Sequence, residues 1–494
     1  MKRLREFWLG EVDLAPLSLF RVLYGIQLFN WIWQLWPNLY AFFSDEGILP
    51  RQELVLHFGD RFSLLTSVGE TWQVAVFWAL SLCVAVLLTV GWRSRLMSFL
   101  AFVVVASFSF RNPLILDGSD LVFRFAPLWM AFADCGARFS VDALARADRR
   151  QPTGRGFALP VRILELQVAW IYLATGIEKM AGTLWPTGGA AYYSLQLEHT
   201  FGRWWARPIA TTPVLAAITT YWTIFVEHAF LPLAMLPSRI TRLIAVAMAA
   251  SLHLGILTLM NVGNFPVIML STLVLFLPPS WIEAVAGRFS GAVRSRVRPR
   301  ALAFADGVAQ SAAHALPVTA YLPARSRTVE RAALGVALLA LAIPTFATAV
   351  PRQWEALRPK DEFGELMRFL SLDQRWDMFS PDPAQSDGWM TMPAFLADGT
   401  EIDLLTGKPP DSAEGYSDPL YSRWAKVQER IANVGYTDYR LEYARQFCRQ
   451  RNLHLSPGEA PIETFEVHYI ERVIQPPGEG PPKFIDHDIW EHHC

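Results

Sequence analysis

Nine apolar runs, at residues 14–36, 72–91, 96–110, 121–133, 163–181, 214–236, 240–260, 265–277 and 332–350, constrain this chain more than any other feature. A helix needs about 20 apolar residues to cross a bilayer, somewhat fewer when neighbouring helices shelter it. Seven of the runs approach that length, and the two short ones, at 121 and 265, are expected to be sheltered or partial spans. Composition agrees, because the 494 residues are 52% hydrophobic and 18% charged, against roughly 25% charged in ordinary globular domains. A disordered chain is excluded and an ordinary soluble enzyme disfavoured. The reading is an all-α polytopic membrane bundle of about nine transmembrane helices, carrying a small extracytoplasmic α+β domain at its C-terminal end. The first run is long and lacks a small-residue cleavage site, so it is expected to act as an uncleaved anchor.

Basic residues orient the bundle, since Lys and Arg collect in loops left on the cytoplasmic side. With the N-terminus inside, the inner segments hold Lys2, Arg3, Arg5, Arg93, Arg95, Arg138, Arg146, Arg149, Arg150, Arg155, Arg162, Arg239, Arg242 and the run from Arg288 through Arg300 to Arg331. The outer loops among the first eight spans hold only Arg51, Arg61, Arg111, Arg203 and Arg207. This divides the chain into a cytoplasmic N-terminus (1–13), a transmembrane core (14–278), a basic cytoplasmic linker (279–330), a last transmembrane helix (331–350) and an extracytoplasmic domain (351–494). The linker reads equally as a segment lying on anionic lipid and as a solvated loop. In the outer domain, alternation over 393–404 around Asp398-Gly399 predicts a hairpin. A second strand is predicted over 464–474, and helices over 421–434 and 439–451.

Ionisable groups inside spans are informative because each costs roughly 2.5 to 3.5 kcal/mol at a helix centre. The chain places Arg21, Arg124, Glu178, Lys179, Glu227, His228 and His253 in or at the ends of runs, with a polar outer loop holding Asn112, Asp117 and Asp120. Tyr172, Thr175, Gly176 and Lys179 fall on one helical stripe, and the small Thr and Gly let that stripe face other helices. A lysine there, stripped of water, favours the neutral amine that a general base requires. The competing reading is a lysine snorkelling to the outer headgroups. His253 has Ala249 and Ala250 beneath it, so it reads either as a substrate contact or as a core histidine satisfied by a neighbouring carbonyl. Glu227 or His228 is expected to pair with Arg21 or Arg124.

The remaining signals are weak. The tail at 487–494 contains ligand-type side chains without zinc spacing, so no metal is predicted. Of Cys83, Cys135, Cys448 and Cys494, only the last two are placed to bridge. A net charge of −1 gives no global field for nucleic acid. Phosphate-loop, zincin and serine-hydrolase motifs do not occur.

The order and spacing of several stretches resemble the HTTM (horizontally transferred transmembrane) family, bacterial relatives of vitamin K-dependent γ-carboxylase. They are residues 42–50 (FFSDEGILP), 111–120 (RNPLILDGSD), 139–143 (FSVDA), 172–180 (YLATGIEKM) followed by Trp185, and Ser251-Leu-His253 with Asn261-Val-Gly263. In the outer domain, 376–381 (WDMFSP) and 398–404 (DGTEIDL) also look typical of bacterial members. The resemblance implies a lysine base acting on reduced vitamin K or menaquinol, which oxygen converts to an epoxide while carbon dioxide is added to a peptide glutamate. It carries the base onto Lys179 and an assisting histidine onto His253, with Asn112, Asp117, Asp120, Tyr172, Glu227, His228 and Asn261 around the pocket. The chain departs from animal carboxylases at Glu178, where they carry a second lysine, and in its much shorter outer domain. The expected partners are membrane lipid and a peptide or protein substrate on the outer face, and the expected location is the bacterial cytoplasmic membrane. A non-catalytic membrane scaffold whose outer domain binds a partner is the alternative. A transporter is disfavoured because no inverted repeat or pair of broken helices is visible.

Overall fold

The computed structural model describes residues 2–59, 61–148, 154–296, 307, 324–359, 361–410, 423–453 and 455–494. Every predicted apolar run is helical over most of its length: α1 (Ala15–Trp33), α2 (Thr71–Val90), α3 (Ser94–Arg111), α4 (Gly118–Phe132), α5 (Ala158–Lys179), α6 (Pro213–Met235), α7 (Arg239–Leu259), α8 (Phe265–Thr272) and α10 (Ala324–Thr348), while α9 (Pro279–Arg296) is a helix at the start of the stretch read as a linker. Among the described residues, six helices are long and apolar enough to cross a membrane, namely α2, α3, α5, α6, α7 and the Glu330–Thr348 part of α10. A seventh arises if Phe265–Phe276 and Pro279–Arg288, bent by 111°, count as one broken span.

The expected count of nine exceeds this. The two runs that do not qualify are α1, where Arg21, Gln27 and Asn30 lower the hydropathy, and α4, only 15 residues long with Pro127 inside it. Both are nonetheless among the most enclosed helices, with Phe20, Tyr24 and Leu28 of α1 and Phe123 and Ala126 of α4 fully buried. Their main polar groups are bonded internally, as a water-free interior demands, although Arg21 Nε and Gln27 Oε1 are buried with no partner among the described residues. Arg21 donates to the carbonyls of Leu88 (2.6 Å), Thr89 (2.9 Å) and Phe139 (2.5 Å), and Tyr24 donates to that of Phe123 (2.6 Å).

Connections gather at two opposite ends of the bundle. At one end β1 (Glu11–Asp13) pairs with β2 (Arg155–Phe157), Arg138 bridges Asp13 (3.2 Å) and Glu283 (2.6 Å), and Arg331 reaches Glu11 (2.7 Å). Half of the basic linker, 297–306 and 308–323, lies outside the described residues. At the other end sits the C-terminal region. It contains α11 (Asp361–Phe369), α12 (Arg423–Ala432), α13 (Arg440–Asn452) and a five-stranded antiparallel sheet.

The long β6 (Ile462–Val473) organises that sheet. One edge pairs with β3 (Ser386–Thr391) and then β4 (Pro393–Leu396), and β5 (Glu401–Asp403) continues beyond β4. The predicted hairpin is therefore present, its turn at Gly399 in the left-handed region (φ 82°) that glycine adopts without strain. The predicted second strand and both helices are present as β6, α12 and α13, residues 421 and 422 lying outside the described set. The tail, in which no strand was predicted, forms β7 (Lys483–His493) on the other edge of β6. It is mostly exposed, with Asp486, Asp488 and Glu491 along it, charges that discourage further strand addition at an edge. A Cys448–Cys494 disulfide, with Cα atoms 5.6 Å apart, fastens the chain end to α13.

Candidate functional site

Where α5, α6 and α7 converge beneath the C-terminal region lies a cavity of about 710 Å³. Its walls are chiefly apolar, with Leu195, Phe201, Leu259, Phe265 and Met269 among them. Among the ionisable and polar groups that break that surface, Tyr172 and Lys179 come from α5, Glu227 from α6 and His253 from α7.

Local sequence explains why these groups meet. Lys179 closes α5, and Gly176, one turn earlier, lies against α6 so tightly that a Cβ there would stand 2.8 Å from His228 Cε1 and 3.1 Å from Glu227 Cβ. The missing side chain brings α6 close enough for the Glu227 carboxylate to pair with the Lys179 ammonium. Lys179 Nζ also lies 4.4 Å from the centroid of the Trp185 ring, a cation–π contact. One side of the pair is left incomplete, because Glu227 Oε2 is buried with no hydrogen-bond partner among the described residues.

Two turns down α5, the Tyr172 hydroxyl and His253 Nε2 are hydrogen-bonded at 2.8 Å. Phe230 stacks on Tyr172 (centroids 4.2 Å) and Phe265 meets the edge of His253 (5.8 Å), fixing both rings. If Tyr172 donates to Nε2, the other nitrogen of a neutral imidazole carries the proton. That nitrogen, Nδ1, is buried without a partner. The cavity thus contains one unsatisfied acceptor and one unsatisfied imidazole nitrogen, and buried polar atoms in that condition are uncommon.

The C-terminal region closes one end of the cavity. Met378, Phe379, Lys426 and Arg430 line it there. Trp185 Nε1 donates to the Phe379 carbonyl (2.8 Å), and Asp382 accepts from the backbone of Thr183 (2.9 Å) and Leu184 (2.7 Å). The stretch at 376–381, noted in the sequence for its resemblance alone, is therefore part of the ceiling. No local signal exposes this, apart from Gly118, where a Cβ would lie 2.5 Å from Met378 Sδ.

The other sequence candidates divide. Asp117 and Asp120 line the cavity, with Asp117 capping α4 through Ser119 N (2.7 Å) and Asp120 held by Trp31 (2.7 Å) and Arg423 (2.8 Å). Asn112, His228 and Asn261 are not in its wall. Asn112 caps the turn at Pro113–Ile115 and donates to the Phe42 carbonyl (2.9 Å). His228 Nδ1 donates to the Ile224 carbonyl (2.9 Å), and the Asn261 N–H donates to that of Phe201 (2.6 Å).

One electrostatic expectation is corrected. Neither Arg21 nor Arg124 pairs with Glu227 or His228, since Arg21 is consumed by the three carbonyls above and Arg124 donates to Asp373 O (2.7 Å). The carboxylate beside Lys179 is Glu227, on another helix. Glu178, rotated about 100° around α5, accepts from Arg352 N (2.6 Å) instead.

A model of the HTTM domain matches residues 10–281, more than half of the chain, including α4 to α8 around the cavity. The chain belongs to the HTTM family. The matched segment of this HTTM protein ends just after α8, so the ceiling over the cavity comes from residues beyond it. The uncharacterised protein YitO of Bacillus subtilis is 28% identical over 209 residues, covering 40% of this chain and 65% of YitO, so the match spans slightly less than two thirds of that relative. No solved structure matches the HTTM protein.

Proposed function

We propose that this HTTM protein is a vitamin K-dependent γ-carboxylase-like membrane enzyme in which Lys179 serves as the base toward a quinol, with carboxylation of a peptide glutamate at the outer face as the coupled reaction. The observation that carries the proposal is the Lys179–Glu227 pair, buried in an apolar cavity with one carboxylate oxygen unpartnered. An ammonium has no lone pair, so Lys179 must pass a proton on before it accepts one. Glu227 is in contact to take it, and the pair is neutral overall whichever member holds the proton. The exchange therefore adds no net charge to a site where an isolated charge is costly.

Reduced vitamin K or menaquinol fits these residues, because a ring hydroxyl matches Glu227 Oε2, a second ring oxygen matches a protonated His253 Nδ1, and the apolar walls accept hydrocarbon. When bound, such a quinol supplies the oxygen-dependent chemistry that ends in its epoxide. The chain's own residues do the rest. Tyr172 fixes the His253 tautomer, Trp185 and Glu227 hold the amine, and the ceiling excludes water, which strengthens every polar contact inside. At the same end Lys426 pairs with Glu429 (2.8 Å) and Arg430 donates to the carbonyls of Pro113, Leu114 and Leu116, so a glutamate side chain would have to exchange with these contacts.

The same reading places the protein in the bacterial cytoplasmic membrane with nine crossings, the N-terminus inside and residues 351–494 outside. Support comes from the grouping of the loops. Those assigned inside by basic residues meet at one end of the bundle, and those assigned outside meet the C-terminal region at the other, as in Arg61 with Asp373 (3.0 Å) and Arg423 with Asp120 (2.8 Å).

The test is turnover in lipid nanodiscs supplied with reduced vitamin K or menaquinol, oxygen, bicarbonate and a glutamate peptide, followed by mass spectrometry. Epoxide formed by the wild type and absent from a folded Lys179→Ala variant is the expected result, with carboxylated peptide beside it. No epoxide from well-folded wild type overturns the proposal and favours the scaffold.

A further inference from the structure

The cavity continues sideways past its polar end. From Glu227 its wall runs along α6 through Thr223, Thr220 and Thr219, and along α7 through Ile256 and Gly255. Two further wall residues, Trp222 and Ser251, are at the same time exposed on the outside of the bundle, Trp222 at 39%. A single hydrogen bond joins them across the two helices, Trp222 Nε1 to Ser251 Oγ at 3.1 Å. Next to that bond the seam is empty, because a Cβ built on Gly255 meets nothing within 4 Å.

The depth of this seam restricts what reaches it. Trp222 and Ser251 lie near the middle of α6 and α7, both long and apolar enough to cross a membrane and both only 28% buried over their most apolar stretch. Ile218, Phe225 and Leu254 surround the seam, exposed at 59%, 55% and 51%. At mid-bilayer such a surface faces hydrocarbon, so an opening there admits lipid-dissolved molecules and excludes water-soluble ones. Between the polar groups and the seam the wall is formed by Thr223, Thr220 and Thr219 of α6 and by Ile256 of α7.

We infer that the α6–α7 seam is a lateral portal, latched by Trp222 and Ser251, through which the long apolar tail of a membrane-dissolved quinol passes while its polar ring rests at Lys179, Glu227 and His253. The inference rests on the quinol reading above and adds the requirement for a tail and the route of entry. Gly255 is the specificity-determining position, since any large side chain there fills the gap that the tail occupies. The threonines along α6 do not oppose an apolar tail, because Thr219, Thr220 and Thr223 each return their hydroxyl to a carbonyl four residues earlier.

The experiment compares two probes by quenching of tryptophan fluorescence under anaerobic conditions in nanodiscs, long-tailed reduced menaquinone and tail-less reduced menadione. Wild type is expected to bind both, the tailed quinol more tightly. Gly255→Leu, which adds volume where nothing stands, is expected to weaken the tailed quinol by about tenfold, the cost of excluding a methylene or two from an apolar site, while tail-less binding is retained and reports an intact fold. Trp222→Ala opens the latch and is expected to speed association of the tailed quinol alone. Equal effects on both probes, or none on either, in variants that still bind reduced menadione overturn the portal and leave the quinol reading standing. Wild type that binds neither probe overturns both.

Discussion

Two buried ion pairs in this molecule have the same ingredients and opposite surroundings. Arg472 and Asp387, in neighbouring strands of the C-terminal sheet, leave no buried side-chain atom without a partner: Arg472 binds both carboxylate oxygens at 2.8 and 3.0 Å and also the Gln196 carbonyl, while Asp387 takes the His199 backbone N–H at 2.8 Å. Lys179 and Glu227 are equally buried, but one carboxylate oxygen has no partner among the described residues and the pair borders an open cavity. A buried pair whose buried atoms are all partnered fixes one geometry, here the docking of the sheet on the loop around residue 196. A pair with a free valence is poised to bind and to exchange a proton. Burial alone does not separate structural from functional charge; satisfaction does.

Substitutions should split the two pairs cleanly. Removing the Lys179 amine in Lys179→Ala is expected to cut quinol turnover by about 10² to 10⁴, the range for losing a general base, with the thermal midpoint nearly kept because Glu227 is able to protonate. Loss of fold instead would make this pair resemble the outer one. Arg472→Ala strands the Asp387 carboxylate and should cost about 3 to 5 kcal/mol. That loss would appear as faster hydrogen exchange in β3 and β6, with exchange in α5 and α6 unchanged.

A smaller effect is expected one turn or two from the amine. Tyr172→Phe removes the hydroxyl that orients His253 and should weaken quinol binding by about tenfold, equivalent to the 1 to 3 kcal/mol of a lost buried partner. The neutral ring still packs on Phe230, so expression and melting should be unchanged; an unaltered affinity would show that His253 does not touch the ligand.

The smallest effect is on pH. Burial against Trp389 (ring centroids 4.4 Å), aided by nearby Arg472 and opposed by Asp387, lowers the His199 pKa. The unfolded segment therefore takes up a proton before the folded one does, and stability falls as pH drops through the ordinary histidine value of about 6.5. Between about pH 7 and pH 5, exchange in β3 should accelerate, and His199→Phe should remove that response. A site that keeps the same acid sensitivity in His199→Phe would assign it to another group.

Much of this was legible in the chain. The apolar runs placed α1 to α8 and α10 because hydropathy is local, and Lys179 with Tyr172 and Gly176 read as one packed stripe because helical periodicity is local too. The strand at β6 and the hairpin at Gly399 followed from alternation and turn chemistry. β7 did not, since an edge strand of mostly exposed, charged residues has no apolar alternation to betray it. The partner of Lys179 was not legible either, for a similar reason. Glu178 is adjacent in sequence and points elsewhere, whereas Glu227 lies 48 residues away and meets the lysine only through the close approach at Gly176.

The sequence by itself determined a membrane-embedded helical chain of the HTTM family with ionisable groups at costly depths, because partition into hydrocarbon depends on each segment's own composition. Only the tertiary structure decided which of those groups meet. It sent Arg21 and Arg124 to backbone carbonyls, gave Glu227 to Lys179 and His253 to Tyr172, and laid residues 376–382 over the cavity. Such contacts depend on how helix faces and loops pack in three dimensions, and no window along the chain contains both partners.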